Sequence, residues 1–140
     1  MDVQDLAFAG AAEQARRLTA ATITAPALLE IYLDRIARLD PQLRSYRVVL
    51  ADTARQEALA AQRRLDAGER LPLLGVPVAI KDDVDVGGEL TPCGSSAVST
   101  PATQDADALP INRYELVSQY SAPKDGKMFI RDPKSPRLRK

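Results

Sequence analysis

The sequence contains no histidine. That absence rules out a Ser/His/Asp or Cys/His triad, and a histidine-based zinc site, built from this chain alone. Any hydrolytic chemistry in it must draw on lysine, carboxylates or backbone groups. It has one cysteine, Cys93. A single thiol cannot close an internal disulfide, which makes a reducing, cytoplasmic setting the expected one. No apolar run approaches the roughly 18 residues that a membrane-spanning helix needs, so no membrane partner is expected. The first residues, Met1-Asp2-Val3-Gln4-Asp5, are acidic and lack the basic start of a secretory signal. Net charge is also missing: 19 basic residues balance 19 acidic ones. That balance gives no global reason to expect nucleic acid or an acidic surface as partner.

What is present suffices for one domain: 140 residues, 45 % of them apolar. The charges, however, are unevenly placed. Residues 1–110 hold 11 basic and 16 acidic side chains, whereas residues 111–140 hold 8 and 3. Alanine falls from 21 in the first stretch to the single Ala122 in the second. Lys81 is the one lysine among the first 110 residues; their other basic residues are all arginine. The chain therefore reads as two compositions, with a first segment to about residue 108 and a basic tail over 109–140.

The first segment is helical in pattern to about residue 67. A helix is expected from about Val3 to Thr19, with Leu6, Ala9 and Leu18 among its apolar positions. A second begins at Thr24, whose hydroxyl suits the exposed first-turn amides, with Pro26 where a missing N–H is harmless. Leu28, Leu29, Tyr32, Ile36 and Leu39 then recur at helical spacing, and Asp40-Pro41 is expected to end the run. Residues 46–50 suit a short strand or the lead-in to a third helix. Thr53-Ala54-Arg55-Gln56 has capping-box form. Ala54, Ala58, Ala61 and Leu65 give that helix a small-residue face, and Ala67-Gly68 closes it. From Leu73 to Ile80 the pattern becomes a short apolar run with β-branched residues, as in a strand buried on both faces. Gly87-Gly88 and a loop rich in Thr, Pro, Gly and Ser follow, over 91–104. Loops of this kind hold polar groups on a rigid base.

Lys81 stands at the end of that strand. Its simplest reading is a surface lysine paired with Asp82 or Asp83. A first segment that otherwise chooses arginine points to another one, since arginine cannot give up its proton in a protein and lysine can. Gly75-Val76-Pro77-Val78-Ala79-Ile80-Lys81-Asp82 resembles the Gly-hydrophobic-Pro-hydrophobic-Ala-hydrophobic-Lys-Asp segment of the amidase signature family. Gly88, Thr91, Gly94 and Ser95 match the loop that follows it there. Thr24 through Pro41 resembles the family's second helix, with Leu28, Tyr32, Arg35 and Ile36 in register. The likeness covers about residues 5–108.

The resemblance implies an α/β fold: N-terminal helices beside the first strand of a larger mixed sheet, here incomplete. It implies hydrolysis of a carbon–nitrogen amide bond in a small molecule, with no external cofactor. Lys81 takes the place of the base in a Ser–cisSer–Lys triad, drawing a proton from one serine so that a second attacks the carbonyl. Backbone amides of a glycine-rich segment would hold the oxyanion. An ordinary lysine, with pKa ~10.4, is neutral in roughly one molecule in 2,500 at pH 7. The role therefore requires burial to lower that pKa. The family's serines lie in a later Gly-Gly-Ser-Ser-Gly-Gly-Ser-type region, and none of the 59 residues after Lys81 forms such a run. Ser95 and Ser96 match the earlier loop instead and read as loop-capping hydroxyls. The expectation is an amidase segment inactive by itself. The alternatives are a non-catalytic remnant or interaction protein, and a relic of an amidotransferase subunit.

Other signals are weaker. Asp82, Asp83 and Asp85 crowd together, but Gly87 falls where an EF-hand needs an oxygen and no glutamate follows at the right distance, so no metal is expected. Cys93 has no histidine to activate it. Arg16-Arg17 and Arg63-Arg64 read as solvated helix faces. In the tail, Tyr114 to Tyr120 suits a strand and Asp125-Gly126 a turn, with Met128-Phe129-Ile130 returning. The basic end from Lys134 lacks the interleaved aromatics of a nucleic-acid surface. A strand and helices short of partner surfaces also make self-association through exposed apolar surface an expected property.

Overall fold

The structure, a computed structural model, describes residues 3–106 and 116–120. A 3-10 turn over Val3–Phe8 leads into helix α1 (Ala11–Thr19), then α2 (Ala25–Leu43), strand β1 (Tyr46–Val49), helix α3 (Ala51–Asp66), strand β2 (Val78–Lys81) and strand β3 (Leu116–Tyr120). The architecture is α/β: three helices beside part of a mixed sheet.

The helical half follows the sequence closely, with local corrections. The single first helix expected over Val3–Thr19 is two pieces, broken at Ala9-Gly10. Gln14 explains the break. It is buried, and its Nε2 donates to the carbonyls of Leu6 (3.1 Å) and Ala9 (2.9 Å), with the Tyr32 hydroxyl also in reach. One α2-anchored polar cluster thus satisfies carbonyls that a continuous helix would have used itself. Thr24 caps α2 as expected, accepting from the Ala27 amide at 3.3 Å. Gln62 of α3 adds a second cap, its Oε1 accepting from Ala25 N at 2.9 Å. Leu28, Leu29 and Ile36 are buried, and so are Ile31 and Leu33, so α2 is covered on more than the one face that the spacing marked. Leu39, expected on that face, is 41 % exposed.

Asp40-Pro41 does not end α2, which runs on to Leu43. Proline here removes an N–H only in the final turn. Asp40 remains helical while its Oδ1 accepts from the amides of Ser45 (2.6 Å) and Tyr46 (3.1 Å) beyond the helix. The actual stop is Arg44, in the left-handed region at φ 50. Likewise α3 begins at Ala51, ahead of the capping box expected at Thr53, and no side chain caps it. Its face of Ala54, Ala58, Ala61 and Leu65 is buried as the spacing required, which lets α3 lie close to α2.

The expected Leu73–Ile80 strand is shorter. Residues 72–75 form a turn, and β2 starts at Val78. Leu74, in the turn, and Val76, just after it, are core residues that lie outside the strand. Gly75 makes this possible. It lies at φ +84, and a Cβ there would fall 3.1 Å from Ala25 Cβ, 3.2 Å from Leu18 Cδ1 and 3.3 Å from Leu65 Cδ1. The turn backbone therefore rests directly on the junction of all three helices.

Burial of β2 on both faces is also corrected. Val78 and Ile80 are half-buried while Ala79 and Lys81 are exposed, the alternation of a strand with one face open. Nor is β2 without neighbours. The sheet order is β1-β3-β2, with β3 antiparallel to β1 and parallel to β2. The central strand thus comes from the second, basic stretch of sequence, which bears out a strand there over 116–120. Tyr114, and the turn and return expected at Asp125-Gly126 and Met128-Phe129-Ile130, lie outside the described residues.

Candidate functional site around Lys81

Strand β2 delivers Lys81 to the sheet level where Tyr46 of β1 and Tyr120 of β3 also sit. A turn follows at once, with Val84 N donating to Lys81 O at 3.1 Å. The strand's alternation continues through this turn, with Lys81 and Asp83 exposed and Asp82 buried. Lys81 Nζ donates to Asp83 Oδ2 at 2.6 Å. The hydrogen bond to Asp83, then its charge, raises the lysine pKa above the ordinary value; slight burial opposes this, and Cys93 adds to the rise. The hydrogen bond from Lys81 correspondingly lowers the Asp83 pKa.

A proton-accepting lysine needs an enclosure that depresses its pKa, yet the Lys81 side chain is 66 % exposed and is shifted the opposite way. The plain surface pairing, with Asp83 as partner, describes the amine in this structure. Such a pair holds its proton at neutral pH. It can act as a base only where Asp83 is drawn off and the amine is covered.

Asp82 behaves differently from its neighbours. It is 5 % exposed, and its Oδ1 accepts from Arg47 Nε at 2.7 Å. Arg47 Nη2 also donates to the Leu90 carbonyl at 2.6 Å. One arginine from β1 thereby ties down both the start and the end of the 82–90 loop. Asp82 Oδ2 and Thr91 Oγ1 are buried without a hydrogen-bond partner among the described residues. The sequence carried no signal for Arg47: its partner stands 35 residues away, and β1 itself was ambiguous.

The loop is further cross-linked. Gly87 N donates to Asp105 Oδ1 (2.8 Å), Gly88 N to Ala102 O (2.8 Å), and Cys93 N to Asp82 O (3.2 Å). The Gly87 and Gly88 amides are thus already engaged. Gly88 and Gly94 take left-handed φ values of +90 and +78, which their glycine identity permits. Ser95 Oγ accepts from Ala97 N at 3.1 Å, the loop-capping use that the sequence pointed to. Cys93 is exposed. Of the three crowded aspartates, Asp82 goes to Arg47 and Asp83 to Lys81. A groove lined by Glu13, Arg16, Arg17, Ala20 and Thr22 lies on α1 and the turn after it, and includes none of these residues.

The Amidase family model matches residues 27–113, which include most of α2, all of α3 and β2, and the Lys81 loop. The chain belongs to that family. It is 65 % identical over 109 residues to the protein named "Putative amidase AmiB2" of Mycobacterium tuberculosis strain H37Rv, covering 78 % of this chain and 24 % of that protein. It is 46 % identical over 88 residues to a glutamyl-tRNA(Gln) amidotransferase subunit of Ectopseudomonas mendocina, covering 63 % and 18 %. Among solved structures, the native peptide amidase of Stenotrophomonas maltophilia superposes with a TM-score of 0.69 at 29 % identity, over 79 % of this chain and 24 % of that one. The chain spans about a quarter of the length of the curated relatives it matches.

Proposed function

We propose that this chain supplies the lysine limb of an amide-hydrolysing site, with Lys81 as the proton acceptor of a Ser–cisSer–Lys triad. The observation that carries the reading is the Gly75–Asp82 segment. It ends a strand on Lys81, within a region whose family assignment is secure. The substrate is a small-molecule amide. The nucleophile belongs to a Gly-Gly-Ser-Ser-Gly-Gly-Ser-type region, and no such run occurs in these 140 residues. By itself the chain therefore does not turn over an amide. Its ion-paired, exposed lysine is consistent with that: covering by further sequence is what would separate Lys81 from Asp83 and lower its pKa.

Ammonia release within an amidotransferase is the second reading, favoured by the amidotransferase relative. The higher identity to the mycobacterial protein is the reason for taking amide hydrolysis as the first reading. The test is a chimera in which residues 1–106 replace the matching part of that protein. Turnover of a small aryl amide is expected, falling by roughly 100-fold or more in both Lys81→Ala and Lys81→Arg. Near-full activity in Lys81→Arg would eliminate the base role. Lysine-dependent turnover by the 140-residue chain alone would eliminate the claim that it lacks a nucleophile.

A further inference from the structure

We propose that Arg47 is the positioning residue of the lysine site: it holds the Asp82 carboxylate on the buried side of the 82–90 loop and so keeps a second carboxylate off the Lys81 amine. The inference deepens the proposed function, on whose reading of Lys81 as a base it rests. It begins from a problem in the sequence. Lys81 is followed by two aspartates, and a lysine that must lose its proton is poorly served by two adjacent negative charges. The structure separates them. Alternation past the end of β2 puts Lys81 and Asp83 on the open side and Asp82 on the buried side.

A carboxylate taken out of water needs an ion-pair or hydrogen-bond partner to offset its lost hydration. Arg47 provides that partner through Nε at 2.7 Å, and Nη2 on Leu90 O at 2.6 Å fixes the guanidinium from a second direction. The guanidinium reaches there from β1, which β3 separates from β2. In the sheet register, Tyr46 and Lys81 both lie opposite Tyr120, so Arg47 starts one residue from the level of the amine. The second carboxylate oxygen, Asp82 Oδ2, has no hydrogen-bond partner among the described residues. Were the arginine charge removed, the cation adjacent in sequence to that carboxylate would be Lys81. Among the described residues, the charged groups that act on the amine are Asp83 and Cys93 from its own loop. Asp82 is kept from joining them by Arg47 of β1.

The experiment reads the proton on Lys81 directly. Lysines of the full chain are methylated with a carbon-13 label, the Lys81 resonance is assigned with Lys81→Arg, and its titration midpoint is followed by NMR. In Arg47→Met the midpoint should rise by about one pH unit, a roughly tenfold loss of neutral amine at a given pH. Arg47→Met combined with Asp82→Asn should return it to the wild-type value. Arg47→Lys, which keeps the charge, should stay within a few tenths of wild type. An unmoved midpoint in folded Arg47→Met, or an equal rise in the double variant, overturns the proposal. Should Arg47→Met not fold, Arg47→Gln is read in its place, since its amide still donates while the charge is gone. If neither neutral variant folds, Arg47→Lys decides, and a rise of about one unit there overturns the proposal. Because no turnover is measured, this outcome is separate from that of the chimera: an active Lys81→Arg chimera would end the base reading without altering where Asp82 goes.

Discussion

Gly75→Ala is the substitution whose consequence is most directly calculable. The added Cβ would stand 3.1 Å from Ala25 Cβ, and 3.2 and 3.3 Å from the Leu18 and Leu65 methyls. The leucine tips can rotate away by a few tenths of an ångström. Ala25 Cβ cannot, because it is fixed to the first turn of α2, whose amide is already held by Gln62. The backbone at φ +84 adds a further strain of roughly 1–2 kcal/mol for an L-residue. Overpacking adds about 1–3 kcal/mol, and the stiffer unfolded chain offsets about 0.4–1 kcal/mol. The expected net loss is about 3 kcal/mol, equivalent to roughly 1.5 M in a urea midpoint at a slope of about 2 kcal/mol/M. Urea unfolding followed by far-ultraviolet circular dichroism measures it. A double-mutant cycle with Ala25→Gly isolates the fixed contact. Removing that methyl should recover about 1 kcal/mol beyond additivity. A Gly75→Ala chain as stable as wild type, or strict additivity with Ala25→Gly, would refute the close-approach argument.

Other outcomes follow from the same contacts. Gln14→Leu should destabilise the chain by about 1–3 kcal/mol, since the buried Leu6 carbonyl loses its donor; amide exchange over residues 6–14 should quicken with it, and unchanged exchange would contradict the role assigned to Gln14. Asp83→Asn should lower the Lys81 titration midpoint, because the Asp83 hydrogen bond and charge are what raise it; a midpoint that stays put would show the pair to be absent in solution. The sign for stability differs at the two partners. The raised Lys81 pKa contributes below the ordinary lysine range and is lost as pH rises through the folded value, whereas the lowered Asp83 pKa contributes above the ordinary carboxylate range and is lost as pH falls through its folded value. Phe8, Leu43 and Leu59 are 76, 65 and 52 % exposed, so the chain should self-associate at tens of micromolar in sedimentation. Changing all three to serine should shift it toward monomer, and a wild-type monomer at that concentration would dispose of the idea.

Much of the helical half was legible because its determinants are local. The Thr24 cap, the α2 apolar spacing and the alanine face of α3 are decided within a few turns of chain, and the structure realises each of them save for the exposed Leu39. The Gly75–Asp82 segment likewise announced a strand ending in lysine. Helix ends were less legible where side chains from elsewhere decide them. Asp40 reaches past Pro41 to Ser45 and Tyr46, and Gln14 satisfies the carbonyls at the break before α1.

What the sequence determined by itself was therefore the family, the helices and the position of the key lysine, all encoded in short-range pattern. The tertiary structure alone decided the state of the site. It placed β3 between β1 and β2, gave Asp83 to Lys81, and turned Asp82 inward to an arginine 35 residues away. The reason is physical: periodicity records which side of an element a residue occupies, whereas a charge is set by whatever the folded chain brings within a few ångströms of it.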